Sequence, residues 1–343
     1  MRRLQKILWR PEGADMFKGI LLTRVDGHTH AKICDMDRGA LAQDEIDIAV
    51  SHSSLNYKDA LAITGTGQVV RSWPMVPGID CIGTVSDSRH AKWTAGDPVL
   101  VTGWGLGETS WGGLAERCRI NGDWAMHPPA SYAARDCMVI GTAGFTAALS
   151  VAALQDHPLP KGGQVLVTGA TGGVGSIAVL LLAKLGYEVV ASTGRIEQEE
   201  YLRSLGAVEI VDRKVLSTPG RPLAKERWHG VVDTVGGATL ASACAATRWN
   251  GAVAACGLAG AADFSSTVMP FILRGITLYG INSVFTDNAK RSRVWTLLAE
   301  HVDKATLQAI SRDIALDEVI AFAPSLLAGQ VRGRTVVVVK DVA

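Results

Sequence analysis

Long apolar runs are missing from this chain. No stretch of its 343 residues approaches the ~18 uninterrupted apolar positions expected of a membrane-spanning helix, so no membrane partner is expected. Charge of one sign is missing as well. Lys and Arg number 34 against 33 Asp and Glu, and the resulting net charge of +1 builds no field to draw in nucleic acid. Cysteine is sparse and unpatterned: Cys34, Cys81, Cys118, Cys137, Cys244 and Cys256 form no Cys-x-x-Cys pair. A disulfide framework is therefore not expected, and a reducing, cytoplasmic setting fits. What is abundant is apolar content, 48% against 20% charged, which excludes a disordered chain. The length exceeds one ordinary core and points to two domains.

The opening residues, 1–15, carry Arg2, Arg3, Lys6 and Arg10 but no apolar core or cleavage site of a secretory signal. They read as an extension, either a disordered tail or the product of an upstream start codon, with Met16 a natural beginning for the fold. A short transit peptide is the alternative. From Phe17 to about Ala130 short apolar runs alternate with Gly, Pro and Asp turns, as in Asp44–Ser51, Cys81–Ser86 and Asp97–Thr102, and imply a β-rich region. After Cys137 strands alternate with helical segments, the pattern of a doubly wound parallel sheet, so the fold class is α/β. Near the end, Arg334-Thr-Val-Val-Val-Val-Lys340 is too apolar for a tail and is expected to rejoin the first domain.

The clearest chemical signal lies in Val165-Leu-Val-Thr-Gly-Ala-Thr-Gly-Gly-Val-Gly175, followed by an Ala/Leu-rich segment. This is strand, tight turn, helix. Gly169, Gly172, Gly173 and Gly175 clear space for a pyrophosphate, which the free N–H groups at a helix N-terminus attract. An NAD enzyme usually carries an acid at the end of the second strand to hold the ribose 2′-hydroxyl. Here that strand ends Ser192-Thr193-Gly194-Arg195. Two hydroxyls and a guanidinium suit a 2′-phosphate, so NADPH is the expected cofactor.

Several motifs resemble one known family. They include Ser53-Ser-Leu-Asn-Tyr-Lys-Asp-Ala-Leu-Ala62, Pro74-Met-Val-Pro-Gly-Ile-Asp80, Thr102-Gly-Trp-Gly-Leu-Gly107 and Trp111-Gly-Gly-Leu-Ala-Glu116. Gly141-Thr-Ala-Gly-Phe-Thr-Ala147, Ala255-Cys-Gly-Leu-Ala-Gly260 and Thr267-Val-Met-Pro-Phe-Ile-Leu-Arg274 extend the set. Together they resemble the medium-chain dehydrogenase/reductase superfamily, in its acryloyl-CoA reductase branch of quinone-oxidoreductase-like proteins, over residues 16–343. The resemblance implies a β-rich GroES-like catalytic domain (16–130 and 308–343) and a Rossmann NADPH-binding domain (131–307). It implies cofactor contacts at Thr171, Gly172, Gly173, Val174 and Arg213, with Leu258, Ile272 and Ser283 lining the nicotinamide half and Gln330 added from the returning segment. A homodimer through the edge strand near Ile276–Gly280 is also implied.

Zinc-dependent relatives hold their metal with Cys, His and a third Cys or Asp. At the matching positions this chain has Asn56, Ile79 and Thr142, and it lacks the four-cysteine structural lobe. Those donors cannot assemble a zinc site, so no metal is expected. Reduction of a C=C bond already polarised by a thioester then becomes the natural chemistry. The resemblance places Asn56, Tyr57 and Asp59 at the reacting end. Tyr57 would hydrogen-bond the thioester carbonyl or pass a proton, Asn56 would hold the nicotinamide ribose or carboxamide, and Asp59 would orient its neighbours. Trp104 and Trp111 are read either as walls of the acyl pocket or as packing plugs. Arg71, Lys58 and Arg274 are unranked partners for the CoA phosphates. The expected activity is NADPH-dependent reduction of acryloyl-CoA to propanoyl-CoA. A quinone or enone reductase, and an NADPH-binding sensor with little catalysis, are the alternatives.

Overall fold

The computed structural model describes residues 15–42, 44–218 and 220–340. All but Asp15 of the expected extension lies outside them. Asp15 and the residues up to Thr142, with those from Lys304 onward, form one compact unit, and Ala143–Asp303 form the second.

The first unit opens with a hairpin, β1 (Met16–Val25) against β2 (His28–Asp37). Its two-residue turn, Asp26-Gly27, holds both residues at positive φ (49° and 83°), as the twist of a tight hairpin requires. The main sheet consists of β3 (Ile46–Ser54), β4 (Asp80–Ser88), β5 (Pro98–Thr102) and β6 (Arg117–Ile120), with β13 (Ser311–Ala315) and β14 (Arg334–Val338). Its order is β13-β14-β3-β4-β5, and β6 also pairs with β3. Alternate residues Ile46, Ile48 and Val50 turn inward to meet Cys81, Val85, Val99, Val101 and Val337. The C-terminal strand does rejoin this unit. β14 runs antiparallel to β3 with Val336 opposite Ser54, which brings Arg334 to the end of β3 where Asn56 follows. Helix α1 (Tyr57–Thr64) starts there, and the later helix Val319–Leu327, called α10 as the tenth helix in chain order when the short 3-10 turns are left aside, packs against it.

The second unit is a six-stranded, all-parallel sheet of β7 (Gln164–Thr168), β8 (Glu188–Thr193), β9 (Ala207–Asp212), β10 (Trp228–Asp233), β11 (Thr247–Ala255) and β12 (Thr277–Gly280). The order β12-β11-β10-β7-β8-β9 reverses direction between β7 and β10. Ligands of such sheets bind beyond the strand C-termini at that point. Helix α3 (Gly173–Lys184) follows β7, and the expected edge strand, β12, is indeed an edge.

The boundaries differ from those expected. Helix α2 (Ala134–Gln155) begins in the first unit and ends in the second, and the division falls after Thr142, not at 130. The cause is polar anchoring: Arg135 pairs with Asp313 at 2.8 Å, and Asp80 takes the Thr142 hydroxyl at 2.5 Å. The return falls at Lys304 instead of 308. Helix α2 is long and apolar enough by composition to cross a membrane, yet 78% of its most apolar window is buried within the structure. β2, β6 and β13 escape sequence reading because they are short or largely polar, with faces half open to solvent.

Candidate active site

In the second unit the glycine turn is built as its sequence suggests. Gly169 sits at φ +60°, and a Cβ on it would come within 2.3 Å of the Thr234 hydroxyl. A Cβ on Gly175 would meet the Gly169 carbonyl at 2.3 Å, so α3 presses directly onto the turn. Gly172 caps α3 without a side chain, leaving the first N–H groups, at Gly173 and Val174, without intrahelical partners. Thr171 is buried; its hydroxyl lies 3.2 Å from Thr193 Oγ1 and accepts from Arg195 Nη2 at 2.7 Å. Ser192 and Thr193 are also buried, and Thr193 Oγ1 accepts the Arg195 N–H at 3.0 Å. Thr193 thus shapes the turn in addition to any ligand contact. Arg213 lies across Gly194, where an added Cβ would come within 2.6 Å of Nε. Two guanidiniums therefore flank the end of β8, an arrangement suited to a phosphate dianion.

Leu258 and Ile272 are 63% and 72% exposed, open side chains and not core. Ser283 is half-buried, and its carbonyl accepts from Arg291 Nη2. Gln330 belongs to the first unit, on the surface just beyond α10, its N–H donating to the Ser325 carbonyl.

In the first unit Asn56, Tyr57 and Asp59 sit at the start of α1. Asp59 Oδ2 accepts the Asn56 N–H at 2.8 Å, and its Oδ1 accepts the Ile79 N–H at 2.9 Å, so it does orient its neighbours. Asn56 Nδ2 reaches Asp80 Oδ2 at 2.9 Å, Ser54 Oγ at 3.1 Å and Asp59 Oδ2 at 3.2 Å, while Oδ1 accepts from Arg334 Nη1 at 3.1 Å. With its amide engaged in this buried network, Asn56 also positions the start of α1.

The network has members that sequence reading passed over. Asp80 is fully buried and collects Ser54 Oγ at 2.5 Å, Thr142 Oγ1 at 2.5 Å and the Thr142 N–H at 2.9 Å. Arg334, equally buried, donates to the Val139 carbonyl at 2.7 Å and to Ser54 Oγ at 2.9 Å. Gly141 makes this possible. It breaks α2 with φ +48°, and a Cβ there would lie 2.6 Å from Asp80 Oδ2 and 2.9 Å from Arg334 Nη2. Desolvation pushes the Asp59 carboxyl up to about 7, with the Asp80 charge adding to the rise, against the pull of the Asn56 and Ile79 donors. Burial lowers Arg334, opposed by the charges of Asp80 and Asp59. The Gly78-Ile79-Asp80 motif and the basic residue heading β14 were the available signals, but nothing local links positions 278 residues apart.

Tyr57, at 40% exposure, stands outside this network, and its hydroxyl makes no hydrogen bond among the described residues. The three positions matching zinc ligands are an amide already bonded, an alkyl side chain, and a hydroxyl donating to Asp80. Among the described residues no group of three or more His, Cys, Asp or Glu side chains could hold a metal ion. That donor set does not fit zinc.

Trp111 is a packing residue, its Nε1 donating to the Pro74 carbonyl at 2.9 Å. Trp104 is half-buried and stacks on Trp124 with centroids 6.3 Å apart. Of the three cations considered for CoA, Lys58 pairs with Glu108 at 2.8 Å. Arg274 binds the carbonyls of Ala245 and Thr247, so both are committed elsewhere.

The chain matches two domain families, the alcohol dehydrogenase GroES-like domain over residues 42–161 and the zinc-binding dehydrogenase domain over residues 173–300. It belongs to the medium-chain dehydrogenase/reductase superfamily, within the acrylyl-CoA reductase family. It is 47% identical to the probable acrylyl-CoA reductase AcuI of Escherichia coli, across 93% of this chain and 99% of that protein. Identity to the acrylyl-CoA reductase AcuI of Ruegeria pomeroyi is 45%, across 94% of this chain and 99% of the relative. The crystal structure of the YhdH oxidoreductase from Salmonella enterica in complex with NADP is 47% identical. It superposes with a TM-score of 0.92 over 94% of this chain and all of that one.

Proposed function

We propose that this protein is an NADPH-dependent reductase that converts acryloyl-CoA to propanoyl-CoA. The observation that carries the reading is similarity, over nearly the whole chain, to proteins named acrylyl-CoA reductase, joined to a β8 end flanked by two guanidiniums. Arg195 and Arg213 take the 2′-phosphate, while Gly172, Gly173 and Val174 receive the pyrophosphate on the N-terminus of α3. NADPH, when bound, supplies the hydride for the thioester's β-carbon. Tyr57 offers its hydroxyl to the thioester carbonyl, where charge develops as the β-carbon is reduced, and is the candidate donor of the proton to the α-carbon. Asp59 and Asn56 act through α1, fixing where Tyr57 stands. The reaction runs without zinc, because Asn56, Ile79 and Thr142 offer no tetrahedral donor set. A cytoplasmic location completes the proposal, supported by six cysteines that are all free thiols. So does a homodimer through the β12 edge, beside the exposed Met269, Ile272 and Leu273.

The test follows NADPH oxidation with acryloyl-CoA, beside NADH and a simple quinone. Consumption with NADPH and the thioester, sharply reduced for Tyr57→Phe in kcat by about a hundredfold, is expected. Faster quinone reduction, or NADPH binding without turnover, would overturn the assignment. Light scattering of the purified chain reads the dimer, and a Tyr279→Lys change at the edge should dissociate it.

A further inference from the structure

The first unit carries a groove of about 510 Å³, within the size range of small-molecule sites. We propose that it binds the phosphate-bearing nucleotide end of the coenzyme A thioester. The inference rests on the proposed activity and extends it to a part of the substrate that the reacting groups do not touch.

Charge is the first observation. Arg24, leaving β1, and Arg71, in the segment beyond α1, both line the groove, and its lining includes no Asp or Glu. Among the described residues the Arg24 side chain makes one hydrogen bond, from Nε to the Gly27 carbonyl at 3.3 Å. Arg71 is exposed and anchored through its backbone, whose N–H donates to the Glu108 carbonyl at 2.8 Å. No ion pair of either guanidinium occurs among the described residues. Two guanidiniums lining one groove from separate elements, without a neutralising acid, suit phosphate oxygens.

Shape and position are the second. Thr29, Gly65, Thr66 and Gly67 also line the groove. Gly65 sits so close to Thr29 that an added Cβ would lie 2.7 Å from its Oγ1, so no side chain fits there. Gly65 is also the residue that ends α1, and Tyr57 begins it. Along an α-helix those positions are separated by about 12 Å. One rigid element thus carries the reacting hydroxyl at one end and the cationic groove at the other. A substrate with a reactive acyl group and a polyphosphate joined by a long flexible arm spans that distance. Of the cations first considered for the phosphates, Lys58 and Arg274 are committed to protein partners, which leaves Arg71, now joined by Arg24.

The experiment compares acryloyl-CoA with acryloyl-pantetheine, which keeps the thioester and arm but lacks the nucleotide, in the full-length chain and its Arg24→Ala, Arg71→Ala and double variants. Calorimetric binding of free coenzyme A is measured alongside. Each single change should raise KM for acryloyl-CoA about tenfold, the loss of one charge-assisted contact. The double change should raise it further, and the KM for NADPH and the kinetics with acryloyl-pantetheine should move less than twofold. Arg71→Lys should recover part of the loss. Equal KM values for the two thioesters in the unaltered protein, or equal shifts for both in the variants, would overturn the groove while leaving the reductase assignment intact. Arginine-dependent coenzyme A binding without reduction of either thioester would sustain the groove and overturn the assignment. Absence of both binding and reduction would overturn both.

Discussion

Replacing Arg334 with Met removes the one guanidinium in the buried network of the first unit. The side chain is 3% exposed and donates to three acceptors, on α2, on β3 and at the start of α1. Asp80 and Asp59, at 0% and 1% exposure, would be left without a buried cation, and Asn56 Oδ1 and the Val139 carbonyl would lose their donor. Removing one partner of a buried ionic cluster costs about 3–5 kcal/mol, because the remaining charge stays desolvated. For a unit of this size that corresponds to a melting temperature lower by about 10 °C. Arg334→Lys keeps the charge but cannot reach all three acceptors with one ammonium, so it should fall roughly midway. Urea and thermal unfolding of the single variants, of Asp80→Asn and of the Arg334→Met/Asp80→Asn pair would measure the effect. In the pair the deficits should be less than additive by about 1–3 kcal/mol. A loss below about 1 kcal/mol for Arg334→Met, or strict additivity in the pair, would show that the network is not an electrostatic unit.

Two further outcomes are expected. Asp59 has its folded-state pKa raised to about 7 from 3.8. A raised carboxyl supports stability fully below its unfolded value and loses that support as pH climbs through the folded one. Stability should therefore decline between roughly pH 4 and 7 by up to about 4 kcal/mol, and Asp59→Asn should flatten that window in unfolding curves. An unchanged slope in the variant would assign the decline elsewhere. Separately, Arg195→Ala and Arg213→Ala should each raise KM for NADPH about tenfold while leaving KM for NADH nearly unchanged, read from initial rates with either cofactor. Equal effects on both cofactors would remove these arginines from the 2′-phosphate.

The glycine turn and the polar end of β8 were legible because their geometry is local. Gly169 to Gly175 and Ser192 to Arg195 act through backbone shape and short contacts within a strand-turn-helix, so their spacing carries their meaning. Periodicity likewise showed the parallel sheet and the apolar return of β14, and residue type alone told against zinc at Asn56, Ile79 and Thr142. The substrate half depended on pairing across the whole chain. Only the register of β14 on β3 brings Arg334 to Asn56, and only the break at Gly141 turns Thr142 onto Asp80. A hydrogen-bond network at such separations leaves no periodic trace in the residues between. For the same reason the bonds of the Asn56 amide to its neighbours were not legible in the sequence. Sequence by itself determined the fold class, the family and the glycine turn between β7 and α3, since each is written in contiguous residues. Tertiary structure decided which polar side chains are buried against one another and which, such as Tyr57, Arg24 and Arg71, remain available to a ligand, because burial is a property of the packed chain.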